Sequence, residues 1–144
     1  MPMKWKFIWS LLCAFAVALG GSFAQNVGDY QTAQSGPWNQ TSTWQIWNGS
    51  AWVTPASVPS GSSSAVVTIL ATPAVHTVTV SSGTVNIDNL TVNGILTVNS
   101  GTTLNLNLTN PTVINGVLNN SGTITGQTSL VTINGSYNHT RNGG

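Results

Sequence analysis

Residues 89–101 read NLTVNGILTVNSG, and 112–122 answer with TVINGVLNNSG; 131–137 begin the phrase again as VTINGSY. Each copy carries one turn of the form Asn-Gly, at Asn93-Gly94, Asn115-Gly116 and Asn134-Gly135. A second turn, Ser-Gly-Thr, recurs at Ser82-Gly83-Thr84, Ser100-Gly101-Thr102 and Ser121-Gly122-Thr123. The period is roughly 18–22 residues, close to the 20–45 of stacked repeat proteins. Internal periodicity on this scale points to a solenoid before any other fold.

Between the turns the residues alternate. Val78-Thr79-Val80, Leu90-Thr91-Val92, Leu96-Thr97-Val98 and Leu104-Asn105-Leu106 all show period two, the pattern of a half-buried strand. Alignment on the Asn-Gly turns gives columns: Val92, Ile114 and Ile133; Leu96, Leu118 and Tyr137; and the asparagines and glycines themselves. Rungs about 4.8 Å apart would set each column into a continuous stack, and stacked asparagines can bond amide to amide. Glycine is expected at the corners (Gly83, Gly94, Gly101, Gly116, Gly122, Gly135) because a positive φ suits it. The rival is an antiparallel β-sandwich of short strands, since Asn-Gly also suits a two-residue hairpin.

The N-terminus reads as an export signal. Lys4 and Lys6 precede an apolar run from Phe7 to Leu19, and Ser22-Phe23-Ala24 offers a cleavage site before Gln25. Residues 1–24 are therefore expected to be removed, and the protein to be secreted or held at the cell surface. Cys13 lies inside the run, where it is not a lipidation site. No later segment reaches the roughly 20 apolar residues of a membrane span. Without the leader, the charged residues are Asp29, Asp88 and Arg141. Charged residues make up 3% of the whole chain, against about 25% in an average domain. Nucleic acid is excluded as a partner, because phosphate binding needs clustered Lys and Arg.

Residues 25–64 differ from the rest, being rich in Trp, Gln, Ser and Pro and ending in a Ser/Gly loop at 60–64. Trp38, Trp44, Trp47 and Trp52, with Tyr30, form one aromatic cluster. It reads first as a cap over the open end of the solenoid, burying about 150–250 Å² per ring. It reads second as a carbohydrate platform, with Trp47 and Trp52 the exposed pair around Asn48-Gly49-Ser50. Threonines outward on strands are a further candidate surface, since regular Thr-x-Thr rows can order water against ice. Thr77-Val78-Thr79 and Thr123-Ile124-Thr125 fit such a row, while Thr97-Val98-Asn99 interrupts it.

The run Tyr30…Ser35-Gly36-Pro37-Trp38-Asn39…Thr43-Trp44, then Trp52, Pro59-Ser60 and Thr77-Val78-Thr79-Val80, resembles the opening of large secreted proteins of the Bacteroidetes type. The Asn89–Gly101 segment resembles their rungs, and the opening is also similar, more loosely, to the extracellular domain named for its eight glycines. The resemblance implies an all-β, right-handed parallel β-helix, with about four rungs over 65–144 and an N-terminal Trp-rich cap. It further implies a surface or secreted module, adhesive or structural. Surface glycans, met by the tryptophans, or stacked copies of itself, met by the last rung, are the expected partners. The rung begun at Ser136 reads as interrupted, so either more chain follows, the favoured expectation, or this end stacks on another molecule.

Catalysis is not expected. Glycoside hydrolysis wants two carboxylates about 5–9.5 Å apart, and the chain offers Asp29 and Asp88 from different regions. His76 and His139 lack a nucleophile elbow or a second ligand at metal spacing, so no cofactor or metal is expected.

Overall fold

The computed structural model describes residues 24–61, 65–106, 109–126 and 130–140. The expected leader, apart from Ala24, and the tail from Arg141 onward lie outside the described residues, as does most of the Ser/Gly loop. Four short strands come first: β1 (Tyr30–Thr32), β2 (Gly36–Pro37), β3 (Trp44–Trp47) and β4 (Trp52–Val53), with a 3-10 turn at Thr41–Thr43. A partial turn of solenoid follows as β5 (Val67–Ile69) and β6 (Thr77–Val80). Three complete turns then repeat one plan. The first is β7 (Thr84–Ile87), β8 (Leu90–Val92) and β9 (Ile95–Val98). The second is β10 (Thr103–Leu106), β11 (Thr112–Ile114) and β12 (Val117–Asn120). The third is β13 (Thr123–Gly126), β14 (Val131–Ile133) and β15 (Ser136–His139).

Each strand of a turn joins a different sheet. The first sheet runs β14-β11-β8-β5-β1-β3-β4, the second β15-β12-β9-β6-β2 and the third β13-β10-β7. Pairing is parallel throughout the stack. Among the described residues only β1 with β3 and β3 with β4 are antiparallel. This is a β-solenoid, and the parallel ladders rule out the hairpin-built sandwich. The expected four rungs are three complete turns and a partial one, because the third side beside β5 and β6 is reduced to one bridge, Gly61 with Ile87.

The columns read from the sequence are the registers found. Ile114 lies between Val92 and Ile133, and Leu118 between Leu96 and Tyr137. Inward residues of β5, β6, β8 and β9 (Val67, Ile69, Val78, Val80, Leu90, Val92, Leu96, Val98) are fully or almost fully buried. Each such side chain contributes about 1.5–3 kcal/mol of burial, which no single three-strand rung could obtain without neighbours. At the corners the asparagines form ladders: Asn115 Nδ2 donates to Asn93 Oδ1, and Asn134 Nδ2 to Asn115 Oδ1, both at 2.9 Å.

The corner glycines correct an expectation. Gly83 (φ 65°) and Gly101 (φ 76°) occupy the left-handed region, but Gly94, Gly116, Gly122 and Gly135 do not. Those four are required by closeness instead. A Cβ on Gly116 would run into the carbonyl oxygens of Gly94 and Asn93, and one on Gly135 into those of Gly116 and Asn115. Gly94 faces the carbonyls of Leu70 and His76, and Gly122 those of Asn99 and Thr102. The Asn-Gly corner thus stacks backbone directly on backbone.

The two ends differ. At the N-terminal end Trp38 and Trp44 meet edge to face, centroids 4.8 Å apart, and are 2% and 1% exposed. Their indole N–H groups donate to Pro59 O (3.0 Å) and Trp38 O (2.9 Å), so the burial leaves no orphan donor. At the other end the inward positions of the third turn lie open: Val131 38%, Ile133 43% and Tyr137 47% exposed.

Candidate functional site

The candidate threonine row of a flat ice-like face, already interrupted in the sequence, does not form. Thr79 stacks on Thr97 in the second sheet, whereas Thr125 belongs to the third sheet, above Asn105. There the outward groups satisfy one another: Asn105 Nδ2 donates to Asn86 Oδ1 and Thr125 Oγ1 to Asn105 Oδ1, each at 3.0 Å.

The first sheet is arranged differently. Its outward row, Gln31, Thr68, Thr91 and Val113, rises in register through β1, β5, β8 and β11. The side chains of Gln31, Thr68 and Thr91 are half-buried and make no hydrogen bond to any described residue. Val66 and Leu70 flank Thr68, Asn89 and Asn93 flank Thr91, and Pro111 lies beside Val113; with Trp52 and Gln25 as walls, they line a groove of about 500 Å³. That size lies within the 300–1,000 Å³ of small-molecule sites.

Two local devices set the walls. Asn48 Oδ1 accepts from Ser50 N (3.0 Å), Ser50 Oγ (3.0 Å) and Ala51 N (2.9 Å), and Gly49 takes φ 99°. This tight turn brings β3 against β4, where Trp47 pairs with Trp52, centroids 5.5 Å apart and tilted by 59°. Asp29, buried, accepts Asn26 N at 2.7 Å and Val66 N at 2.9 Å, pinning the chain before β1 to the start of β5.

The aromatic cluster therefore divides. Trp38 and Trp44 are core and present no face to solvent, so they drop out of any binding platform. Trp47 and Trp52 stay half-exposed, and of these Trp52 lines the groove. Gln31, Thr68, Thr91 and Val113 were not legible as a site: each is an ordinary outward strand residue, and only the pairing of strands far apart in the chain brings them together. The outward placement alone was readable, from period two.

The remaining titratable groups are built into the frame. His76 Nδ1 lies 2.7 Å from Thr32 Oγ1, which also accepts Leu70 N. His139 stacks on Tyr137 at the open end. Asp88, buried between β7 and β8, accepts from Thr109 N, Thr109 Oγ1, Asn110 N and Asn110 Nδ2 at 3.0–3.1 Å. Burial acts to raise its pKa, but the hydrogen bonds from Asn110 and Thr109 outweigh it and hold the carboxyl below its ordinary value. Among the described residues no three His, Cys, Asp or Glu side chains gather as a metal site. Nor is any described helix long and apolar enough to cross a membrane.

Compared with family models, curated proteins and solved structures, the chain matches none.

Proposed function

We propose that the chain is a non-catalytic, exported structural or adhesive module: a rigid, neutral β-solenoid that presents its faces at or beyond the cell surface. The observation that carries this reading is the commitment of both aspartates. Asp29 and Asp88 each hold backbone N–H groups of another segment, so neither is free to act as acid, base or nucleophile. The outward groups are amide, hydroxyl and aliphatic rows suited to contact, not to proton transfer. Surface glycans are the first class of partner. Further copies of the chain are the second.

Purified protein coupled to beads, passed under flow over cell-envelope polysaccharide and over a film of itself, tests this reading. Beads should be retained on at least one surface with no release of reducing sugar. Release of sugar, or free passage over both surfaces, would overturn it.

A further inference from the structure

Building on the adhesive reading of the module, we infer that the groove on the outer face of the first sheet binds a neutral, extended, β-linked polysaccharide lying along the solenoid axis. Its floor is a ladder of rows: Gln31, Thr68 and Thr91 in the centre, with Val66 and Leu70 to either side of one and Asn89 and Asn93 beside another. Rungs repeat about every 4.8 Å, close to the length of one sugar ring, so successive rings meet successive rungs.

Four features select this ligand. The hydroxyls of Thr68 and Thr91 and the amide of Gln31 are unengaged among the described residues, whereas the comparable amides of Asn86, Asn105, Asn119 and Asn138 bond to one another. Unengaged donors and acceptors beside aliphatic side chains match a pyranose, with hydroxyls at its rim and C–H groups on its faces. Trp52 supplies an aromatic wall for those C–H faces, backed by Trp47. Among the described lining side chains none is basic, and the sole carboxylate, Asp29, already holds two backbone N–H groups. No lining side chain therefore offers an anionic chain a counter-charge. A straight parallel face also calls for a straight ligand, which runs of β-1,4-linked sugars provide and coiled α-1,4-linked chains do not.

Affinity electrophoresis through gels containing soluble mixed-linkage β-glucan, or polygalacturonate as the anionic control, tests the assignment. The full chain should be retarded by β-glucan and not by polygalacturonate. Thr91→Arg fills the floor from an outward position, and Trp52→Ala removes the wall. Each should raise the apparent dissociation constant at least tenfold, with Thr91→Arg keeping the thermal midpoint of the parent and so reporting on the groove alone. No retardation of the parent, equal retardation of Thr91→Arg, or stronger retardation by polygalacturonate would overturn the assignment. Thr91→Arg beads that still adhere under flow would place adhesion elsewhere, overturning the groove assignment with the module reading intact. Parent beads that never adhere would remove the module reading itself.

Discussion

Gly116 lies with its α-carbon against the carbonyl oxygen of Gly94, one rung below, with no room between them for a methyl group. The obstacle is backbone, which cannot swing aside as a side chain would. Gly101 is the contrasting case, with φ 76° and open space around it.

Gly116→Ala should therefore cost about 3 kcal/mol or more, at the upper end of single substitutions. Gly101→Ala should cost about 1–2 kcal/mol, the left-handed penalty alone. Urea denaturation of both variants checks the order. A Gly101 variant more damaged than the Gly116 variant would mean that corner conformation, not rung contact, selects these glycines.

Thr112 is fully buried in register with Val131 of the next rung, and its hydroxyl has no hydrogen-bond partner among the described residues. Thr112→Val keeps the shape and removes an uncompensated desolvation of the kind that costs about 1–3 kcal/mol. The variant should be more stable by about 1 kcal/mol, seen as a higher midpoint in urea with an unchanged slope.

Asp88 ties the corner after β7 to Thr109 and Asn110. Its folded pKa is depressed below the ordinary carboxylate value, so its contribution to stability is present above the unfolded pKa, about 3.9. It is lost as pH falls through the folded value. Thermal midpoints of the parent should accordingly drop through the acid range below about pH 4. Asp88→Asn should start lower at neutral pH and fall less steeply, because its amide cannot accept all four donors and does not titrate.

Much of this architecture is readable in the chain. Val92, Ile114 and Ile133 align because strict period two and a near-constant turn spacing fix both face and register. The asparagine ladder is legible for the same reason. Two things are not. The Asn-Gly glycines look like hairpin glycines, and only the stacked structure shows that carbonyls of the rung below, and not φ, demand them. The four tryptophans are equivalent in composition, yet Trp38 and Trp44 find backbone acceptors inside the cap while Trp47 and Trp52 sit on a hairpin at its rim. That division depends on tertiary placement. The groove depends on it wholly, since Gln31, Thr68, Thr91 and Val113 meet only when successive rungs stack.

Solenoid and groove alike rest on the stacking of that row, and nuclear Overhauser contacts in solution test it most directly. The backbone of Thr91 should show contacts to Thr68 on one side and Val113 on the other, and Leu118 methyls to both Leu96 and Tyr137, in a parallel pattern. Antiparallel contacts folded about Asn93-Gly94, pairing Val92 with Ile95 and Leu90 with Thr97, would instead make each unit a hairpin and dissolve both the solenoid and its groove.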